Sequence, residues 1–282
     1  MCHELASGTA LIPEIGAMYG PPAVSETSLI NCNLQKLPPQ SVVIADSGFG
    51  IFRVAHPIPH AGHDFLLRLT RTRFRSLQKQ TRLIESGDNF RVWTKTWKPS
   101  PKQRQSNPDL PSDAAREVRL HEVVISSELT LHSVTGLPDS SAAVARLWEY
   151  RNPVEVDLRN LKVVLNTEQI RARRLNTFRQ ELLASMVSYN LVTQFRCQAA
   201  ELIHEPPRRL SCKRLWTTFP VFLMCSRHTS PEDWRNKSAT ALHYATLDKL
   251  PNRSDRRVLR ETDPKRPKPK QFHKRKPKPR PT

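Results

Sequence analysis

The chain has 282 residues, with 45 Lys and Arg against 26 Asp and Glu, a formal net charge of +19 and an isoelectric point near 10.3. A charge that large bears on partners rather than fold, and it favours a polyanion, of which nucleic acid is the commonest. The five cysteines (Cys2, Cys32, Cys197, Cys212 and Cys225) form no C-x-x-C pair, which argues against a disulfide framework and for a reducing compartment. No apolar run approaches the ~18–20 residues of a membrane span, so the expectation is a cytoplasmic, nucleoid-associated protein without a membrane partner. The apolar share of 38% is low, and 24 prolines accompany only 8 glycines. A core is therefore expected over part of the chain, with loops or tails where the prolines cluster, between about Pro99 and Pro111 and after Pro251.

Residues 1–40 are loosely patterned, with a strand-like start around Thr9 to Ile15. The first sharp element is Ser41 to Ala45, a short β-branched apolar run that reads as a strand buried on both faces. It ends in Asp46 and Ser47-Gly48-Phe49-Gly50. A helix-like stretch from Ile51, interrupted by Pro57 and Pro59, leads through Gly62 to a second apolar run, Phe65 to Leu69. Strand, crossover, strand predicts a parallel pair. In such sheets the binding crevice lies beyond the carboxyl ends of the strands, where Asp46 stands.

From Thr70 to about Leu131 the text turns basic and aromatic. Arg71, Arg73, Arg75, Lys79 and Arg82 precede Phe90-Arg-Val-Trp-Thr-Lys-Thr-Trp97, then a polar, proline-bearing loop to about Ser112 and weak strand signals over Val118 to Leu131. This reads as a β-rich insertion. Trp93 and Trp97 suit either a platform for unpaired bases or the insertion's own core. His56-x3-His60-x2-His63 has metal-like spacing, but prolines interrupt it and no cysteine accompanies it, so loop histidines are the plainer reading. Ala142 to Lys162 and Thr177 to Ile203 read as helices. The second has a capping-box pattern at Thr177-x-x-Gln180 and an apolar stripe of Phe178, Leu182, Leu183, Met186, Leu191, Val192 and Phe195. From Pro251 the chain is a Lys/Arg/Pro text that lacks the apolar surface to order itself.

One helix face carries the chemistry. Trp148, Arg151, Glu155 and Lys162 are separated by steps of three, four and seven residues, which return to one face at ~3.6 residues per turn. By spacing alone this is equally a solvated ion-pair ladder. The surrounding text resembles the Tyr-Arg-Glu-Lys signature, Tyr-x2-Arg-x3-Glu-x6-Lys, of DDE transposases of the insertion-sequence-four family. Arg151, Glu155 and Lys162 match it, and Trp148 replaces Tyr. Val43-Ile-Ala-Asp-Ser-Gly-Phe49 is similar to that family's second-Asp strand. Thr167 to Arg171, Gln180-Glu-Leu-Leu, Ser188-Tyr-Asn-Leu-Val192 and the basic C-terminus also resemble the family.

The resemblance implies a ribonuclease-H-like α/β fold: a mixed sheet flanked by helices, with a β-rich insertion and a disordered basic tail. Its divisions would be a partial core over 1–70, the insertion over 71–140, catalytic and C-terminal helices over 141–250 and the tail over 251–282. It implies DNA transposition by two-metal phosphoryl transfer, with Asp46 and Glu155 as catalytic carboxylates holding Mg2+, a hard cation that takes oxygen ligands. Trp148, Arg151 and Lys162 would meet transposon-end DNA, and a second copy of the chain would complete a synaptic dimer.

The family's first Asp has no counterpart, since Met1 to Ala45 contains Glu4, Glu14 and Glu26 but no Asp. The expectation is that the chain begins downstream of that residue, holds an incomplete metal site and neither nicks nor transfers DNA alone. Ser47 in place of a basic residue, Asn152-Pro153 in the signature helix, and Pro57 and Pro59 are further departures. The alternative is a non-catalytic DNA-binding remnant that keeps the basic face and tail.

Overall fold

Six strands make one mixed sheet in a computed structural model that describes residues 2–251, apart from Met18, Pro22, Glu128, Tyr150, Asn166, Glu168, Gln169, Arg171 and Arg173. The expected basic tail from residue 252, and much of the family-like stretch from Thr167 to Arg171, lie outside the described residues. Met1–Lys249 forms one unit, which holds all six strands, and Leu250–Thr282 forms a second.

The strands are β1 (Val42–Ala45), β2 (Asp64–Arg68), β3 (Arg82–Ser86), β4 (Phe90–Trp97), β5 (Arg116–Val124) and β6 (Thr130–Thr135), in the order β1-β2-β6-β5-β4-β3. β1 and β2 run parallel, with Val42 opposite Asp64 and Ala45 opposite Leu67, as the strand–crossover–strand pattern anticipates. Every other pairing is antiparallel. β6 pairs directly with β2, so the strands expected as an insertion extend the same sheet. The apolar text of β1 predicts a strand buried on both faces. It is instead an edge strand with Val42 exposed, because among the described residues only β2 pairs with it. No strand forms around Thr9 to Ile15, only isolated bridges such as His3 with Ala10.

Among the described residues ten α-helices accompany the sheet: α1 (Glu26–Leu34), α2 (Phe52–Ala55), α3 (Pro57–His60), α4 (Arg71–Gln78), α5 (Pro101–Ser106), α6 (Ser141–Glu149), α7 (Asn152–Arg159), α8 (Leu175–Glu201), α9 (Cys212–Cys225) and α10 (Pro231–Thr246). Side chains alternate across a strand, and the core divides accordingly. Phe65 and Leu67 of β2, Trp93 and Trp97 of β4, and Val118 and Leu120 of β5 pack on Phe52, Val54, Ile58 and Phe74 from α2–α4. On the other face Val123 and Leu131 meet Trp148 of α6. Trp93 and Trp97 are thus core residues and leave no platform for bases. His63 is structural too: buried, it accepts the Ser41 N–H (3.3 Å) and donates to the Leu34 carbonyl (2.9 Å). The other two histidines, His56 and His60, meet edge to face at 4.8 Å.

The expected helix from Ala142 to Lys162 is two helices and a wide turn. Pro153 has no N–H to give and its ring crowds the preceding turn. Helix α6 ends at Glu149 and α7 begins at Asn152, so that proline sits in the first turn of α7, where a missing N–H matters least. The capping box expected at Thr177 is absent. The helix begins two residues earlier, with Arg174 extended and its carbonyl bonded to the Phe178 N–H at 2.9 Å, so Thr177 is already inside it. The stripe on α8 buries Met186, Val192 and Phe195 but leaves Leu183 and Leu191 exposed.

Beyond α7 and a wide turn, Asn160–Val164, helices α8–α10 share a second core of Val192, Phe195, Leu215, Phe222 and Ala245. A buried ion cluster joins the parts. Asp157 of α7 takes the Arg208 guanidinium (Nη2 2.7 Å, Nε 3.1 Å) and faces Arg196 of α8 (3.9 Å). The same arginines donate to the carbonyls of Leu5, Ala6 and Ser7, and Asn190 pairs with both backbone polar groups of Ala10 at 2.9 Å. Gly8 passes this cluster at φ +86°, where a Cβ would lie 2.9 Å from Arg196 Nη2; only glycine fits.

Two measurements check this packing. Asp157→Ala leaves two arginines without their buried counter-charge, and removing one partner of a buried pair costs about 3–5 kcal/mol; chemical denaturation should show a loss of that order. His121 lies on the inner face of β5 and bonds Ser141 at the start of α6 (3.0 Å). Burial, and then Arg119, push its pKa down to about 4. Below pH ~6.5 the unfolded imidazole takes a proton that the folded one refuses. Stability is therefore full above that pH and falls toward pH 4, by on the order of 3 kcal/mol. In a pH series of melting curves, His121→Asn should remove that share of the acid-side decline.

Candidate active site

The carboxyl ends of the parallel strands β1 and β2 open onto a crevice of about 580 Å³, lined by Asp46, Ser47, Arg68, Leu69, Thr70, Arg71, Glu122, Leu129, Thr130 and His132. Asp46 follows β1 directly, and a tight turn fixes it: its Oδ1 accepts the Ser47 N–H at 2.5 Å, and its carbonyl accepts the Phe49 N–H at 2.9 Å. Gly50 then passes so close to β2 that a Cβ would sit 2.2 Å from the Arg68 carbonyl oxygen. That approach sets the end of β1 beside the end of β2.

Arg151, at the break between α6 and α7, reaches both candidate acids. Its Nη2 donates to Asp46 Oδ2 at 3.1 Å and its Nη1 to Glu155 Oε1 at 2.9 Å. Two carboxylates 109 residues apart in sequence (155 minus 46) thus meet on one guanidinium. Arg68 stands 4.0 Å from the other Asp46 oxygen. Both guanidinium groups lie over the Trp148 ring, Arg68 at 5.8 Å and Arg151 at 5.6 Å from its centroid, a cation–π arrangement. Trp148 itself is only 7% exposed. Packed on Val123 and Leu131, it lies beneath the two arginines as their shelf. Lys162 is exposed on the wide turn after α7, and among the described residues no contact ties it to the other three. The one-face expectation therefore holds for Trp148, Arg151 and Glu155, with Lys162 apart.

Several residues of the site carried no sequence-based assignment. Arg68 and Arg71 flank Asp46 because β2 ends where β1 ends; the parallel pairing was the only signal for them. Glu122 and His132 are cross-strand partners of β5 and β6, bonded at 3.2 Å, and nothing in the linear text couples them. Arg73 of α4 donates to the Ser47 carbonyl, tying the basic helix to the turn beyond Asp46. A second concavity shares α4 and is lined by Arg73, Lys95, Lys98 and Lys102 among others. Positive charge therefore flanks this end of the sheet on both sides of α4.

Among the described residues no group of three or more His, Cys, Asp or Glu side chains is arranged to hold a metal ion. Asp46 and Glu155 supply two hard oxygen donors, and Mg2+ is commonly held by one or two carboxylates, with waters and substrate phosphates completing the shell. No helix of the described residues is long and apolar enough to cross a membrane. The chain matches no protein-family model, and no curated protein matches it.

Gly50→Ala tests the strand-end geometry. The added methyl cannot fit without moving the turn or β2, a crowding that costs about 1–3 kcal/mol. The melting midpoint should fall by several degrees, and an unchanged midpoint would contradict the close approach.

Proposed function

We propose that this chain is a DDE-type transposase domain of the insertion-sequence-four kind, acting on the phosphodiester backbone of DNA with Mg2+ held by Asp46 and Glu155. The observation that carries the reading is the meeting of those two carboxylates on Arg151, where Asp46 also lines a crevice shared with Arg68 and Arg71. The parallel β1–β2 pair, with Asp46 at its exit and helices on both faces, supports a ribonuclease-H-like core, in which β3–β6 continue the sheet beyond β2.

Each residue has a part in that chemistry. Asp46 and Glu155 would hold Mg2+, which when bound activates an attacking oxygen and steadies the leaving one. Arg68 and Arg71 would receive a phosphate in the crevice, since arginine matches phosphate geometry. Arg73, Lys98, Lys102 and Lys162 would follow the backbone on either side without reading sequence. With two carboxylates rather than three, the domain as it stands holds Mg2+ weakly, so nicking by the chain alone is expected to be slight.

A second reading, a DNA-binding protein without catalysis, is favoured by the finding that no third metal-ligating side chain joins the two acids among the described residues. Binding to a short duplex, followed by fluorescence anisotropy, separates the two. Both predict affinity that falls steeply with salt, because neutralised phosphates release counterions. The transposase reading further predicts that Mg2+ tightens binding several-fold over EDTA in the native chain and not in Asp46→Asn or Glu155→Gln. In EDTA those variants should bind at least as well as the native chain, having lost a repelling charge. An Mg2+ response that survives both substitutions overturns it.

A further inference from the structure

The two acids already hold a cation, and it belongs to the protein. Arg151 uses one nitrogen for each carboxylate rather than pairing both with one. Arg68 supplies a second positive charge beside Asp46. Two guanidinium groups stand against the two carboxylates, so the negative charge that would draw a dication is already opposed at Asp46 and Glu155. We propose that Arg151 is a displaceable internal counter-ion, which keeps divalent cations off Asp46 and Glu155 until a phosphate draws it away. This rests on the reading of those acids as Mg2+ ligands.

The same helix shows why this pair of contacts can open. Two residues beyond Glu155, the Asp157 side chain is 1% exposed and its partner Arg196 is 2% exposed. That cluster is locked, because neither charge can leave without an unpaired ion being buried. At the site the Glu155 side chain is 63% exposed, that of Asp46 43% and that of Arg151 21%. Ion pairs so open to water are weak and easily exchanged. One α-helix thus carries a fixed ionic anchor and a loose one, and the loose one lies on the functional face.

Trp148 gives the guanidinium a path. Arg151 lies over the Trp148 ring, as does Arg68, which lines the crevice. A guanidinium that leaves the carboxylates while staying over the ring keeps its cation–π contact. A phosphodiester lodged against Arg68 and Arg71 offers anionic oxygens that match the planar fork at least as well as a carboxylate does. Once Arg151 turns to it, Asp46 and Glu155 face each other without that counter-charge, the condition under which a divalent cation binds best. Phosphate and metal then promote one another, and by thermodynamic linkage each must raise the other's affinity by the same factor.

The test is Mn2+ binding by the full chain, read by electron paramagnetic resonance, with and without a short DNA duplex. Arg151→Gln should bind Mn2+ about tenfold more tightly than the native chain, and the duplex should tighten native binding by a similar factor while adding little in the variant. Arg151→Lys, which keeps the charge, should stay near the native affinity. Asp46→Asn in the Arg151→Gln background should abolish the gain. Equal Mn2+ affinity in Arg151→Gln and native, with Asp46→Asn still abolishing binding in both, overturns the counter-ion role and leaves the metal-ligand reading standing. Binding that ignores Asp46→Asn in both backgrounds sinks that reading and the counter-ion role with it. If circular dichroism shows Arg151→Gln unfolded, the native chain decides: no tightening of Mn2+ by the duplex overturns the proposal.

Discussion

The guanidinium of Arg151, bonded on one side to Asp46 and on the other to Glu155, joins the end of a strand to a helix that lies more than a hundred residues downstream. Its position is set by constraints on both sides. Asp46 is fixed by the turn that carries Gly50 under the Arg68 carbonyl. Arg151 stands just before α7, whose first turn holds Pro153, and lies over Trp148, which is packed into the sheet beneath it. Arg151 keeps helical backbone angles between α6 and α7, and from there it reaches Asp46 with one nitrogen and Glu155 with the other.

The site inherits its stability from an interaction it does not contain. Asp157, between Arg196 and Arg208, ties α7 to α8 and to the segment around Gly8. A buried ionic cluster of this kind adds little net stability compared with apolar packing, but it penalises any arrangement that separates its members. Here it dictates how α7 sits, and therefore where Glu155 points. The exposed contacts of Arg151 are weak by the same physical chemistry, so rigidity comes from Asp157 and adaptability from Arg151.

Much of this was legible in the sequence, and the remainder was hidden for identifiable reasons. The Val43-Ile-Ala and Phe65-Leu-Leu runs give strands because β-branched and apolar residues in short stretches have few alternatives, and the short crossover makes them parallel. The three-and-four spacing of Trp148, Arg151 and Glu155 survives the helix break because Arg151 keeps helical backbone angles across it, at φ −72° and ψ −34°. Helix α4 escaped notice because its Arg-Thr-Arg-Phe-Arg text buries a single residue, Phe74, so no apolar period marks it. Helix α5 lay concealed in a proline-bearing loop, although Ser100-Pro101-x-Gln103 is a capping box with proline at the start, a signal available in the text. The burial of Asp157 has no linear signature at all, because its partners come from α8 and from the 3-10 turn at Pro207–Arg209. The single sheet was equally hidden: among the described residues only the β2–β6 pairing joins the basic, aromatic strands to β1 and β2.

The decisive measurement is a crystal structure of the chain grown with Mn2+ and a DNA duplex, with the metal located by its anomalous scattering. A displaceable Arg151 requires a peak coordinated by oxygens of both Asp46 and Glu155, with the Arg151 guanidinium turned to a phosphate. Carboxylates still held by Arg151, with the metal bound elsewhere or the two acids on separate faces, would contradict it.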